Sequence, residues 1–267
     1  MRSRLRQAAE HFSLTLLGEP VFSGQDRTIG SRARGADGEC WLRVAWSHRY
    51  WISGDFWTGN QDAAALRGVP KPALIGEPHD WEEPQYANRA EMMTLVTGRA
   101  CSATEELRSA VDLPDRWWAD LRAALDILAA QRTERGSHDQ DTVTRRLLAF
   151  FGSGVDPTVT AWLPAHGDLN WTNLTQPNLV LLDWESWGVQ MAGYDAATLY
   201  VLALRAPDTA SKVHEVFEDV LDSADGIRAQ LMVIARYLRR VDNVGEFVDF
   251  ADDLHRHARW LIDRAGG

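Results

Sequence analysis

His166-Gly167-Asp168-Leu169-Asn170-Trp171-Thr172-Asn173, followed by Leu181-Leu182-Asp183-Trp184-Glu185, gathers oxygen ligands at a spacing suited to phosphoryl transfer. Asn173 comes five residues after Asp168, and Asp183 ten residues after that. Phosphoryl transfer asks a protein for little covalent chemistry. It asks for one carboxylate to orient a hydroxyl nucleophile, and for an amide oxygen and a second carboxylate to hold a divalent cation on the phosphates. Asp168 fits the first task, Asn173 and Asp183 the second. Magnesium is the expected ion, because it takes oxygen ligands and leaves the rest of its sphere to water and phosphate. Singly, each residue is an ordinary turn or strand-end polar group. The set, with His-Gly before it and Trp-Glu after, points to chemistry.

The surrounding elements must position these groups. Val180-Leu181-Leu182 predicts a buried strand that ends at Asp183, and short strands are expected near 172–175 and 179–183. Asp168 and Asn173 fall on a loop bounded by Pro164 and Gly167. Upstream, apolar positions Leu5, Ala8, Ala9, Phe12 and Leu16 predict a helix within 3–17. Strands are predicted at 27–29 and 39–46, with Asp37-Gly38 as the hairpin signal between them. A helix at 60–67 is stopped by Gly68 and Pro70, and strands follow through 73–75 and 89–96, ending at Thr97-Gly98. Beyond residue 102 the pattern is helical: Pro114-Asp115 opens a helix through Leu128, and others are expected at 140–151, 194–205, 208–222, 226–240 and 245–264. The layout is α+β and two-lobed, with 1–97 as the sheet-rich part and 98–267 as the helical part carrying the 166–185 block.

Composition narrows the partners. The net charge of −10 argues against nucleic acid, which wants a basic footprint, and is compatible with a cationic substrate. No run of apolar residues is long enough to predict a membrane span, and the basic start Met1-Arg2-Ser3-Arg4-Leu5-Arg6 leads into no apolar signal core, so a cytoplasmic protein is expected. Cys40 and Cys101 offer neither a disulfide framework nor a metal spacing. Lysine occurs only at Lys71 and Lys212, so arginine must supply most cationic roles.

The motif His166-Gly167-Asp168-Leu169-x-x-x-Asn173 with Leu182-Asp183-Trp184-Glu185 resembles the aminoglycoside phosphotransferase and choline kinase group, small-molecule relatives of protein kinases. The resemblance is specific in the 166–185 block and extends to the layout of nearly the whole chain. It implies a protein-kinase-like fold, with a small antiparallel-sheet lobe that binds ATP or GTP and a larger, mainly helical lobe with the catalytic loop and the acceptor site. It implies that Asp168 is the catalytic base, that Asn173 and Asp183 ligate magnesium, and that His166 braces the loop by hydrogen bonding. Arg43 falls where the group places its phosphate-binding lysine, with Asp62 as its acidic partner from the small-lobe helix. The segment Glu91 to Val96, and within it Glu91, Met92, Met93 and Thr94, would present backbone to the adenine. Asp195 matches an aspartate at the start of a large-lobe helix, where N-capping would explain it. The group usually has a second histidine where this chain has Asn170. Gly24 and Gly30 could flank a phosphate loop.

Further residues are expected near the acceptor or the metal: Glu185, Asn170, Trp171 and Trp187. Trp46, Trp51 and Trp57, with His48 and Tyr50, read as core packing or as an aromatic wall. The implied activity is transfer of a nucleotide γ-phosphate to a hydroxyl of a small molecule such as an antibiotic, amino sugar or amino alcohol, with no nucleic acid and no membrane as partner. A kinase-fold binding module without transfer activity is the alternative. A protein-directed kinase is disfavoured, because no Ala-Pro-Glu motif follows Asp183.

Overall fold

The computed structural model describes residues 1–23, 27–52, 55–136 and 139–266. The chain divides into two compact units, Met1–Gly98 and Arg99–Gly267.

The first unit is a five-stranded antiparallel sheet with one helix before it and one between its third and fourth strands in sequence. Helix α1 (Arg2–His11) precedes β1 (Thr15–Phe22), β2 (Thr28–Gly35) and β3 (Gly38–His48); α2 (Asp55–Ala63), β4 (His79–Glu82) and β5 (Tyr86–Thr94) follow. The strand order is β1-β2-β3-β5-β4. Strand alternation sets the chemistry of its faces. Cys40, Leu42 and Val44 of β3 pack with Ile29, Ala33 and Ala90 against Leu5, Ala8 and Ala9 of α1, forming an apolar core. Intervening residues, Trp41 and Arg43 among them, therefore face the other way. α1 is shorter than the periodicity suggests, because Ser13 takes a left-handed φ of 54° and turns the chain into β1. In the first hairpin Gly35 pairs with Gly38, so Ala36-Asp37 form the turn and Gly38, at φ 115°, opens β3. The predicted helix at 60–67 lies earlier, at Asp55–Ala63, and 73–75 contributes a single bridge, Leu74 to Met93, instead of a strand.

The second unit is built on helices. It contains β6 (Arg99–Ala100), α3 (Asp115–Ala129), α4 (Gln140–Phe151), β7 (Trp162–Ala165), β8 (Thr175–Gln176), β9 (Gly188–Met191), α5 (Tyr194–Val201), α6 (Pro207–Leu221), α7 (Ala224–Val244) and α8 (Ala251–Gly266). Of two short ribbons, β7-β9 brackets the 166–185 block, and β6-β8 has its second strand within it. β7 includes Pro164, which a two-stranded ribbon tolerates because an edge strand does not need every N–H. α5 is buried over nearly its whole length and packs on α7, the longest helix, whose apolar residues Leu231, Met232, Ile234, Ala235 and Leu238 are buried. Ser223 caps α7, its Oγ accepting from Gly226 N at 2.9 Å. A Cβ at Gly226 would sit 1.9 Å from Val220 O, so only glycine lets α7 start this close to the end of α6. Gly245, at φ 70°, ends α7, and α8 starts at Ala251, later than the predicted 245. Among the described residues, no helix is long and apolar enough to cross a membrane.

Candidate active site

The 166–173 loop is held from two helices. Asp195, in the first turn of α5, accepts the backbone N–H of His166 on Oδ2 at 2.7 Å and that of Gly167 on Oδ1 at 2.9 Å. It therefore does not cap its own helix, which has Gly193 at the N-cap position and no side-chain cap. Burial pushes the Asp195 carboxyl up from its ordinary value, against the pull of His166 and the two N–H donors. From the other side Arg236 of α7 donates to Asp168 Oδ1 at 2.6 Å and to Gly167 O at 3.2 Å. Burial works against the Arg236 guanidinium, yet the Asp168 carboxylate holds it above arginine's usual range. Gly167 sits between these anchors at φ 77°, and an added Cβ would lie 2.4 Å from Ser186 O.

Within the loop the polar side chains are ordered by the backbone. Asn173 Nδ2 donates to Asp168 O at 2.9 Å, which turns the amide oxygen away from that carbonyl. Leu182 N donates to Asn173 O at 2.8 Å, and a bridge joins Leu174 to Leu181, so the segments carrying Asn173 and Asp183 lie side by side. The predicted strand before Asp183 is reduced to that bridge. Asp183 itself is exposed, adopts a left-handed φ of 62° and starts a short 3-10 turn, Trp184–Ser186. His166 is buried, and its Nε2 meets Leu182 O at 2.8 Å, so the ring braces Asp183's segment against the loop. An amide oxygen and a carboxylate on adjacent segments suit a hard divalent cation that completes its sphere with water and phosphate.

Asn170, Trp171 and Trp187 make structural contacts. Asn170 is buried, and its Oδ1 accepts from Thr172 N at 3.0 Å and Thr172 Oγ1 at 2.6 Å, shaping the turn. Trp171 is fully buried with Nε1 donating to Leu199 O of α5, so it fills the core instead of lining an acceptor pocket. Trp187 is buried beneath the Arg135 guanidinium, 4.9 Å from its ring, and its carbonyl accepts from Arg135 Nε at 3.1 Å. Glu185 is half-buried, with its carbonyl 3.5 Å from Arg135 Nη2.

In the first unit Arg43 and Glu91 stand opposite each other on β3 and β5, and Arg43 Nη1 donates to Glu91 Oε2 at 3.0 Å. Glu91 is buried and also accepts from Asn60 Nδ2 of α2 at 2.8 Å. Glu91 thus serves Arg43 through its side chain. Asp62 of α2 accepts from Thr58 Oγ1 at 2.6 Å. Met92 O accepts from Ile75 N, and Thr94 N donates to Ala73 O, both at 2.8 Å, while Met93 pairs with Trp41 of β3. The backbone of Met92 and Thr94 is therefore engaged with the 73–75 segment beside the sheet. Gly30 lies within β2 opposite Arg43, where a Cβ would strike the Trp41 indole at 2.5 Å; Gly24 lies outside the described residues. Of the aromatic stretch, Trp46 and His48 pack on Tyr86, Arg4 covers Trp46, and Tyr50 is exposed; the Trp51 side chain lies outside the described residues.

No protein-family model matches the chain, and no curated protein matches its sequence. Solved structures do match its fold. Amicoumacin kinase hAmiN, in complex with AMP-PNP, calcium and its ligand, superposes with a TM-score of 0.59 at 12% identity, covering 98% of this chain and 93% of that one. Ethanolamine kinase of Plasmodium vivax gives 0.57 at 9% identity over 98% and 86%. Spectinomycin phosphotransferase, in complex with ADP and spectinomycin, gives 0.55 at 8% identity over 98% and 96%. The fold is that of the protein-kinase-like small-molecule kinases, with an antiparallel five-stranded sheet unit followed by a helical unit.

Proposed function

We propose that this protein is a small-molecule kinase that transfers the γ-phosphoryl group of ATP or GTP to a hydroxyl. The observation that carries the reading is the Asp168 constellation. One carboxylate is fixed by Arg236, its loop is clamped by Asp195, and the Asn173 amide and Asp183 lie on adjoining segments, all on a fold shared with phosphotransferases. Asp168 orients the acceptor hydroxyl in line and takes its proton as the oxygen bonds to phosphorus. Asn173 Oδ1 and the Asp183 carboxylate are the groups that would hold magnesium, which when bound neutralises charge on the nucleotide phosphates. Arg43 offers its guanidinium to a phosphate, and Glu91 keeps that side chain extended from the sheet. The peptide groups of 95–98 take the adenine or guanine edge.

The neighbours named above make antibiotics and amino alcohols the first acceptors to screen, and resistance or metabolite phosphorylation the two settings. A cationic acceptor is supported by the bulk charge of −10 alone. The free, buried cysteines fit a reducing compartment, which supports a cytoplasmic location.

The test is nucleotide consumption with magnesium across hydroxylated compounds, repeated with Asp168→Asn. Loss of a general base costs about 10²–10⁴-fold in rate, so the variant should fold and fail to turn over. Undiminished turnover by Asp168→Asn would sink the mechanism. Stabilisation by magnesium and nucleotide without consumption of any compound would favour the non-transferring binding module.

A further inference from the structure

Helix α7 carries three arginines close together beside Asp168, although the whole chain is acidic. Arg236 of α7 holds Asp168, and Arg239 and Arg240 follow three and four positions later, on the same side of the helix. Helix α4 packs against α7 and brings Arg146, half-buried, into electrostatic reach of Arg239 and Arg236. The carboxylates that meet these cations are committed. Asp168 is on Arg236, while Glu105 at 2.7 Å and Glu246 at 2.8 Å both serve Arg240. Among the described residues no carboxylate lies within ion-pair distance of Arg146 or Arg239. Burial pushes Arg146 down from arginine's usual range, and Arg239, Arg236 and Arg145 push in the same direction. A half-buried guanidinium with cations for neighbours is unfavourable unless an anion completes it, and its planar fork matches a carboxylate or phosphate.

We propose that Arg146 and Arg239 form an anion-binding subsite beside the base, and that the acceptor is a hydroxylated anion whose carboxylate or phosphate they hold while Asp168 meets its hydroxyl. The inference rests on the kinase reading and names its substrate class. The step balances. The acceptor oxygen bonds to the γ-phosphorus, the bond from that phosphorus to the β–γ bridging oxygen breaks, the nucleoside diphosphate leaves, and the hydroxyl proton passes to Asp168.

The experiment measures nucleotide consumption by the full chain with magnesium and ATP or GTP. Its arms are hydroxy acids such as glycerate, sugar phosphates such as glucose 6-phosphate, and neutral or cationic hydroxyl compounds such as glycerol, ethanolamine and glucosamine. The expected result is turnover in one anionic arm, hydroxy acids marking a carboxylate site and sugar phosphates a phosphate site. Arg146→Gln and Arg239→Gln should each raise the KM for that acceptor by about tenfold or more, as for loss of a hydrogen bond to a charged group, with the KM for nucleotide unchanged. Arg146→Lys should retain part of the affinity, and the exposed Arg239 gives a variant that keeps the fold. A best acceptor that is neutral or cationic overturns the subsite, as does a rise in the KM for nucleotide in place of that for acceptor. Where no arm shows consumption, thermal stabilisation is read with magnesium and AMP-PNP present. Glycerate or glucose 6-phosphate should then stabilise the wild type more than Arg239→Gln, and equal or absent shifts overturn the subsite. Failure of the reading beneath it looks different: consumption that survives Asp168→Asn.

Discussion

At the scale of single residues, the proposed base is defined by what touches it. Asp168 meets Arg236 at 2.6 Å, and the same guanidinium reaches Gly167 O, so one side chain fixes both the carboxylate and the backbone that presents it. Lysine carries the charge but has no planar fork, so Arg236→Lys should keep one contact and lose the other. The expected outcome is a fall in kcat of about tenfold or more, on the scale of one charged hydrogen bond, with the KM for nucleotide near wild type. Steady-state kinetics check it; an unchanged kcat would show that Arg236 does not position the base. Gly167 is constrained by space and by backbone. Its φ of 77° and the 2.4 Å that would separate an added Cβ from Ser186 O both exclude a side chain. Gly167→Ala should therefore destabilise by about 1–2 kcal/mol or more, from the left-handed cost alone, read as a lower denaturant midpoint. Asp168, Asn173 and Asp183 were singled out by spacing alone, and the structure lays the segments of Asn173 and Asp183 side by side. Arg236 was not singled out, because it lies 68 residues beyond its partner, in a helix whose pattern says only that one face is apolar.

At the scale of elements, helix ends and junctions carry the polar order. Asp195 ties α5 to the loop by accepting two buried N–H groups, so Asp195→Ala strands both. At about 1–3 kcal/mol for each unsatisfied group, the loss should be several kcal/mol in chemical denaturation, with activity lost as well. Denaturation like wild type would mean that the loop finds other acceptors. The α7–α8 junction predicts a pH effect. His257 of α8 is buried against Gln230 of α7, with ring nitrogen and amide oxygen 3.0 Å apart, and burial lowers its pKa to about 4. The unfolded chain takes up this proton near 6.5, and the folded chain does not until about 4. Stability from this group is thus fully present above 6.5 and is lost as pH falls between those values. The loss is on the order of 2 kcal/mol by pH 5, at about 1.4 kcal/mol per pH unit. His257→Gln should flatten that part of the stability-against-pH curve, and an unaltered slope would assign the effect to other groups. Elements of this kind were unevenly legible. α3 and α4 emerge at their predicted positions because periodicity holds over several turns and Pro114 and Gly152 mark a start and an end. β4, β7 and β9 were missed, since four residues hold too little alternation to distinguish a strand from a loop, and Pro164 argues against one.

At the scale of the whole molecule, order along the chain was readable and charge was not. A sheet-rich beginning, a helical remainder and the motif within that remainder follow from local pattern. The net charge of −10 averages over the surface and conceals the arginines gathered on α4 and α7. Binding is the property that tests the assembled site. A ligand that binds only the folded chain, at 100 times its dissociation constant, adds about 2.7 kcal/mol to stability. For a chain of this size that corresponds to a rise in Tm of roughly 5–10 °C. Magnesium with ATP or GTP should produce such a rise, and nucleotide with a chelator should produce less. Asp183→Asn is the informative variant, because Asp183 is exposed and left-handed at φ 62°, a conformation asparagine adopts readily, so Tm without ligand should stay near wild type. With one anionic ligand replaced by an amide, the magnesium-dependent part of the rise should shrink while the part given by nucleotide alone persists. Equal magnesium-dependent shifts in Asp183→Asn and wild type would remove Asp183 from the metal site and leave Asn173 without its partner.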